Sequence, residues 1–225
     1  MTHPIVLVPY MPNIDSRIVH AQKMVFDHLA SDIPFYQLIT DKPHATTCDL
    51  LTKQAFDAGH DVVVWFDVDA IPLTREALLM MIKRASKGWL TGNVQRSNHI
   101  QNNEHLYIAP SCMAFSRETY DLIGRPSFEP TPRGDVGEEL TYKAKEAGIN
   151  VFAYVPLWYE NLPAEGHEWP TANGLRPFGL NTFFGTIEGK KELPMTFHSF
   201  QSRMSSQVER FVEICNQTIN DDASY

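Results

Sequence analysis

Asp67 and Asp69 come directly after the most apolar run of the sequence, Val62 to Phe66. The run has no polar alternation, which predicts a strand buried in the middle of a sheet. In an extended chain, residues two apart face the same side, and two carboxylates placed so close repel each other unless a cation joins them. Hard divalent ions such as Mg²⁺ and Mn²⁺ take oxygen ligands and bridge diphosphates, which then leave as stabilised anions. The pair therefore predicts a divalent-cation site.

The alternative for the two aspartates is that they only start a turn before Pro72, as acidic residues often do. In an open α/β sheet, ligands bind at the carboxyl ends of the strands, which is where this pair falls. The position therefore favours a functional site.

The rest of the chain predicts alternating strands and helices, the pattern of an α/β domain with a mostly parallel central sheet flanked by helices. Apolar runs predict strands at 5–8, 35–39, 61–66, 89–94, 107–115 and 151–155. Helical spacing and terminal signals predict helices at 16–29, 47–58, 75–87, 118–123, 134–148 and 205–219. The two aspartates thus follow two strand-helix units.

Residues 156–194 are rich in glycine, proline, asparagine and aromatic residues. So long an irregular stretch in a compact domain is typical of a binding loop or lid. Its aromatic residues are Trp158, Tyr159, Trp169, Phe178, Phe183 and Phe184. They could stack on sugar rings or bases, although aromatic side chains in loops more often pack against the domain.

The size, composition and net charge of the chain limit the classes of protein to which it can belong. The chain has 225 residues, 43% of them hydrophobic and 20% charged, which suits one soluble globular domain. Its formal net charge of −8 argues against one broad phosphate-binding face, because such proteins are usually basic.

The cysteines and the apolar segments indicate the compartment. Cys48, Cys112 and Cys215 are odd in number, far apart and without metal-ligand spacing, which predicts reduced thiols. The apolar run at 5–8 is too short for a secretory signal, and no later stretch approaches the length of a membrane span. We therefore expect a cytoplasmic protein that does not insert into a membrane.

Five segments resemble the GT-A glycosyltransferases and follow that family's order along nearly the whole chain. The most specific is Val62-Val-Val-Trp-Phe-Asp-Val-Asp-Ala-Ile-Pro-Leu73. The supporting segments are Ile5-Val-Leu-Val-Pro-Tyr10, Cys112-Met-Ala-Phe-Ser-Arg117, Gly137-Glu-Glu-Leu140 with Ala147-Gly148, and Phe197-His-Ser-Phe200. The resemblance implies a single GT-A (Rossmann-like) domain that uses Mn²⁺ or Mg²⁺ to transfer a sugar from a nucleotide-sugar donor.

The resemblance also implies how the domain is divided and where the donor binds. Residues 1–95 would form the nucleotide-sugar-binding half, 96–204 the acceptor-side half with the lid at 156–194, and 205–225 a C-terminal helix and tail. The nucleotide base would lie near Pro9 and Tyr10, with Asp41 near the base or ribose. Arg17 is a weaker candidate for the donor side, and Asp67 would reach the donor through the cation.

Inverting transfer needs a base that takes the proton of the acceptor hydroxyl opposite the leaving diphosphate. Asp135, Glu138 and Glu139 are the candidates, and the family's acidic pair falls on Glu138-Glu139, where the commoner form is Glu-Asp. We expect Glu139 to be the base, with Asp135 second. Acidic residues here also complement a helix N-terminus, which accounts for at least one of the three.

His198 and Arg203 follow the irregular stretch and precede the last predicted helix. Many GT-A enzymes bring a histidine back to the metal at this point, so the resemblance implies that His198 is a third protein ligand. Imidazole is a better ligand for Mn²⁺ than for Mg²⁺, so a Mn²⁺ preference would follow. Arg203 could reach the diphosphate, where a guanidinium offsets charge. The alternative for His198 is an ordinary half-buried histidine between two phenylalanines.

Two other functions fit parts of the sequence. Haloacid-dehalogenase-type phosphatases also place a DxD after an apolar strand, but their loop usually continues Gly-Thr, where this chain has Ala70-Ile71. A non-catalytic binder of nucleotide sugars or glycans would keep the aromatic residues and gain nothing from a metal pair with a base. The acceptor is left open among a glycan, a protein and modified DNA.

Overall fold

The computed structural model describes residues 2–97, 105–161, 180–200 and 205–222. The strands are β1 (Pro4–Tyr10), β2 (Phe35–Ile39), β3 (Val62–Phe66), β4 (Ala70–Pro72), β5 (Leu90–Arg96), β6 (Leu106–Ser116), β7 (Val151–Asn161), β8 (Leu180–Glu188) and β9 (Lys191–His198). The helices are α1 (Ser16–Ala30), α2 (His44–Asp57), α3 (Arg75–Ala85), α4 (Arg117–Leu122), α5 (Glu138–Glu146) and α6 (Ser205–Asp222). The fold is mixed α/β.

The nine strands form one sheet in the order β2-β1-β3-β6-β5-β7-β8-β9-β4. The sheet is mixed, so the expectation of a mostly parallel sheet is wrong. Of the pairings between described strands, β1 with β2, β1 with β3 and β5 with β7 are parallel, and the others are antiparallel. The connection from β5 to β6 is shorter than the dozen or so residues that a parallel crossover needs, so the chain turns back beside β5.

Helices cover both faces of the sheet. One apolar core lies between the sheet and α1, α3 and α6, and the second lies between the sheet and α2, α4 and α5. Along β3, Val64 and Phe66 belong to the first core and Val63 and Trp65 to the second. This burial on both faces explains why the strand has no polar alternation.

The predicted irregular stretch at 156–194 is largely strand where the structure describes it, which corrects the lid prediction for those residues. β7 continues to Asn161, and β8 and β9 form a hairpin in which Glu188 pairs with Lys191. Gly189 lies in the turn with φ of 66°, a conformation that glycine adopts without strain. Residues 162–179, which include Trp169 and Phe178, lie outside the described residues.

The helix predicted at 134–148 begins later, at Glu138. Gly137 precedes it with φ of 72°, and Thr131 and Gly134 form an isolated bridge upstream. The left-handed backbone at Gly137 ends any helix that would start earlier. Asp135 therefore lies in the segment before α5, while Glu138 and Glu139 lie in its first turn.

Two further findings concern the cysteines and the helices. Cys48, Cys112 and Cys215 are free and buried. Across the described ranges, no helix combines the length and apolar character needed to cross a membrane.

Candidate active site

Asp67, Asp69 and His198 converge just beyond the carboxyl end of β3. Their candidate ligand atoms all lie within 4.8 Å of one another. The Nε2 atom of His198 is 3.2 Å from Oδ1 of Asp69 and 3.6 Å from Oδ2 of Asp67. Asp69 and His198 are buried, and the Asp67 side chain is 30% exposed. Asp67 is thus the member of the cluster that solvent or a ligand can reach most easily.

The short strand β4, which the sequence patterns did not predict, brings His198 to the aspartates. β4 pairs with β9 in an antiparallel register that sets Ala70 opposite His198. The backbone N–H of Ser199 donates to the carbonyl of Asp69 at 3.0 Å, and its hydroxyl donates to Oδ2 of Asp69 at the same distance. The chain between Asp69 and Ala70 is therefore fixed against the residues that carry the imidazole.

Gln22 of α1 holds the turn from the other side. Its buried side-chain amide donates to the carbonyls of Asp67 and Ala70, at 2.7 and 2.8 Å. Gln37 of β2 in turn donates to the side-chain oxygen of Gln22 at 3.0 Å. These hydrogen bonds satisfy carbonyls that would be costly to bury alone and fix the direction in which both aspartates leave the strand.

Burial and neighbouring charges shift the pKa values of all three residues of the cluster. Burial raises the pKa of Asp67, although His44 and His198 act against this. Burial also acts to raise the pKa of Asp69, but the charge of His198 and the hydrogen bonds from His198 and Ser199 outweigh it, so the pKa is lowered. Burial acts to lower the pKa of His198, but Asp69 and Asp67 outweigh it, so this pKa is raised. Asp69 and Asp67 thus favour the protonated form of the His198 ring.

The donor set fits a divalent ion. Adjacent ligands of an ion bound at about 2.1 Å lie about 3 Å apart, close to the separations between His198 and the two carboxylates. Two carboxylates and one imidazole suit Mn²⁺ and related ions. The Nδ1 atom of His198 is buried and has no hydrogen-bond partner within the described part of the chain. In metal sites this second nitrogen usually donates to a neighbouring group, and the described residues do not supply that group.

The predicted donor-side residues lie at the same edge of the sheet, because β1, β2 and β3 are parallel. Pro9 and Tyr10 end β1, and the Tyr10 carbonyl accepts from Thr40 N–H at 2.9 Å. Asp41 lines a cavity of about 480 Å³ with Pro12, Leu38, Ile39, Thr40, Lys42, Thr47 and Leu50. The cavity is large enough for part of a nucleotide.

The two arginines predicted for the donor side differ in what the structure says of them. Arg17 is exposed and pairs with Asp15 at 2.8 Å and with Glu209 of α6 at 2.5 Å. Both partners tie α1 to its own N-terminus and to α6, which accounts for Arg17 without a ligand. Arg203 lies outside the described residues.

The three acidic candidates for the base have different surroundings. Glu138 is fully buried, with Oε1 2.6 Å from Nδ1 of His105 and Oε2 accepting from the Asp135 backbone N–H at 2.7 Å. Asp135 is buried, and its Oδ2 accepts from the Tyr107 hydroxyl at 3.4 Å. Burial, and then the charges of Asp135, Glu138 and Asp67, raise the pKa of Tyr107. Tyr107 thus contacts Asp135 and lies where acidic side chains disfavour loss of its proton.

Glu139 is paired with a cation. Arg133 donates to its two oxygens at 2.9 and 2.5 Å and also binds Glu146 at 2.9 Å. Glu139 lines a cavity of about 690 Å³ with Pro126, Ser127, Glu129, Pro130, Thr131, Pro132, Arg133 and Lys143. None of Asp67, Asp69 and His198 lines this cavity.

The aromatic residues that the structure describes are partly packed. The ring of Trp158 stacks on the ring of Phe183 with centroids 3.6 Å apart, and Trp158 is still 44% exposed to solvent. Phe184 is buried in the core. Packing thus accounts for Phe183 and Phe184, whereas Trp158 and Tyr159 keep exposed ring surface.

Sequence reasoning missed three residues around the cluster, namely Gln22, His44 and Ser199. Nothing in the spacing of Gln22 or His44 indicates a site, because each belongs to a helix that meets the cluster only in the folded chain. Ser199 stands beside His198 in a segment that was singled out. Its position next to a candidate ligand was the one available signal.

Comparisons with known proteins complete the description. No family model and no curated protein matches the chain. Among solved structures, it is similar to a Drosophila β1,4-galactosyltransferase 7 in complex with manganese, UDP-Gal and xylobiose, with 13% identity, 77% of this chain and 69% of that chain covered, and a TM-score of 0.46. It is also similar to a glycosyltransferase involved in glycosylation of the major capsid of PBCV-1, with 11% identity, 71% and 84% covered, and a TM-score of 0.42.

A third similar structure is a cytidylyltransferase from Leptospira borgpetersenii, with 12% identity, 100% and 96% covered, and a TM-score of 0.44. Nucleotide-sugar and nucleotidyl transferases thus stand among the similar structures. All three TM-scores are below 0.5, so the function has to be argued from the site itself.

Proposed function

We propose that this chain is a metal-dependent glycosyltransferase that moves a sugar from a nucleotide-sugar donor to an acceptor hydroxyl with inversion. The observation that carries the proposal is the convergence of Asp67, Asp69 and His198 beyond β3. Two buried or half-buried carboxylates with no Lys or Arg partner in the described ranges need a cation, and the edge of the sheet is where α/β proteins bind ligands.

In this proposal Asp67, Asp69 and His198 hold Mn²⁺ or Mg²⁺. The bound ion would offset the charge that develops on the leaving diphosphate. The cavity that Asp41 lines receives the base or ribose, beside Pro9 and Tyr10 at the end of β1. Residues 1–95 form the donor half, 96–204 the acceptor half, and 205–225 a supporting helix and tail.

We propose Asp135 as the base, in place of the Glu139 favoured by the sequence. Both oxygens of Glu139 accept hydrogen bonds from Arg133, so this carboxylate is already occupied by a guanidinium. Asp135 is buried and accepts a hydrogen bond from the Tyr107 hydroxyl. Glu138 accepts a hydrogen bond from the backbone N–H of Asp135. The role of Glu138 in this proposal is therefore to position the base. The acceptor supplies a hydroxyl and belongs to a glycan, a protein or modified DNA.

Slow hydrolysis of the donor tests this function without knowledge of the acceptor. UDP-glucose, UDP-galactose and GDP-mannose are each incubated with the chain and Mn²⁺, and the released nucleotide is measured with and without excess chelator. We expect metal-dependent release from at least one donor. Hydrolysis of p-nitrophenyl phosphate alone would instead support the phosphatase, and donor binding without any release would support the non-catalytic binder.

A further inference from the structure

His44, the first residue of α2, lies beside Asp67 of the cluster formed by Asp67, Asp69 and His198. Its Nε2 atom is 3.9 Å from Oδ1 of Asp67, whereas His198 approaches the other oxygen, Oδ2. The His44 side chain is 41% exposed, so it borders the opening through which Asp67 is reached. Cys48, one turn along α2, is buried and contacts the ring with Sγ 3.6 Å from Nε2. The ring is thus held beside Asp67 while its surface is accessible.

His44 is also close in the chain to residues that line the proposed donor cavity. Asp41 and Lys42 precede it and Thr47 follows it, and all three line the cavity of about 480 Å³ at the ends of β1 and β2. The start of α2 therefore carries both a residue of the cavity wall, Thr47, and an imidazole beside a carboxylate of the cluster. We expect a nucleoside diphosphate with its base in the cavity and its phosphates at the cluster to run along this part of α2.

We propose that His44 binds a phosphate of the donor diphosphate. This inference rests on the proposed function and assigns a residue that holds the charged part of the donor. An imidazole carries at least one N–H donor in either protonation state, so the contact does not depend on its titration. Hydrogen bonds to an ionised phosphate are among the stronger ones in proteins. Once a cation neutralises the carboxylate of Asp67, His44 is no longer needed as its partner and can bind the phosphate.

Calorimetric titration in Mn²⁺ tests the proposal with UDP, GDP, CDP and ADP, followed by the nucleoside and nucleoside monophosphate of the tightest binder. We expect His44→Ala to weaken the nucleoside diphosphate by about 10-fold or more, the size of one charge-assisted hydrogen bond. Affinity for the nucleoside and for Mn²⁺ alone should stay unchanged. His44→Gln keeps an N–H donor and should recover part of the loss. His20→Ala, on the exposed surface of α1, is the matched control.

Three results would overturn the proposal. Unchanged diphosphate affinity in His44→Ala removes His44 from the donor site and leaves the proposed function intact. An equal loss of affinity for Mn²⁺ alone makes His44 part of the cation site instead of a phosphate contact. Failure of the unmodified chain to bind every nucleoside diphosphate overturns the proposed function together with this inference. Thermal melting of both His44 variants confirms that a loss of binding is not a loss of fold.

Discussion

Two acidic regions of the chain differ in how their charge is balanced. In the first turn of α5, Glu138 contacts His105 and accepts a hydrogen bond from a backbone N–H, and Glu139 pairs with Arg133. At the end of β3, Asp67 and Asp69 lie close together and share His198, and neither has a Lys or Arg partner among the described ion pairs. The first region is complete as a piece of protein, whereas the second gains from an added cation. Unbalanced carboxylates, rather than acidic residues as such, therefore mark the cation site.

The largest expected effect comes from removing charge at the unbalanced region. Asp69→Asn should lower donor turnover by about 1,000-fold or more, because several kcal/mol of charge stabilisation depends on the ligands of the ion. Circular dichroism should show a folded chain, since the amide nearly preserves the shape of the side chain. Asp57→Asn, at an exposed ion pair with Lys53, is the control and should be active. Full activity of the unmodified chain in excess chelator would contradict the prediction.

The next effect distinguishes Asp135 from Glu139 as the base. Asp135→Asn should keep donor and metal affinity but lower transfer by about 100-fold or more, the usual contribution of general base catalysis. Glu139→Gln should retain most of the activity, because Arg133 already occupies this carboxylate. The opposite pattern returns the role to Glu139. Normal transfer in both variants indicates a retaining reaction.

His198→Ala should have a smaller effect than these two changes, and the effect should appear in donor binding. Loss of one ligand should weaken Mn²⁺-dependent donor binding by about 10-fold or more. The Asp69 and Asp67 charges raise the pKa of His198 against the effect of burial, so the ring keeps its proton to higher pH than an ordinary histidine. Mn²⁺ must displace that proton, so its affinity in the unmodified chain should rise as the pH passes upward through the range where His198 loses its proton, which lies above that of an ordinary histidine. Calorimetry that gives equal Mn²⁺ and donor affinity in His198→Ala would leave the two aspartates as the metal ligands.

The smallest effect is expected where charge is already balanced. Arg133→Gln removes the partner of Glu139 at a half-exposed site, and exposed ion pairs contribute under about 1 kcal/mol. Chemical denaturation should therefore detect a small decrease in the free energy of unfolding, and turnover should change little. A large loss of turnover would mean that the Glu139 cavity takes part in the reaction, and the contrast between the two regions would no longer hold.

Local patterns predicted much of the fold. The apolar runs identified β1, β2, β3, β5, β6 and the start of β7, and the strand at 35–39 has the predicted bounds. Each of these elements is encoded by residues close in sequence, through hydrophobic spacing and terminal signals. The strands β4, β8 and β9 were missed, because a three-residue strand and a hairpin with few clear alternations carry little local signal.

The sequence by itself determined the chemistry at the end of β3. A doubly buried strand followed by Asp67 and Asp69 specifies two carboxylates at a sheet edge, and short-range geometry suffices for that. Only the tertiary structure decided which partners reach them. His198 is 129 residues away from Asp69 and arrives through the pairing of β4 with β9, while Gln22 and His44 arrive from helices on opposite faces of the sheet. Strand partners and helix placement follow from packing of the whole chain, and no local spacing encodes them.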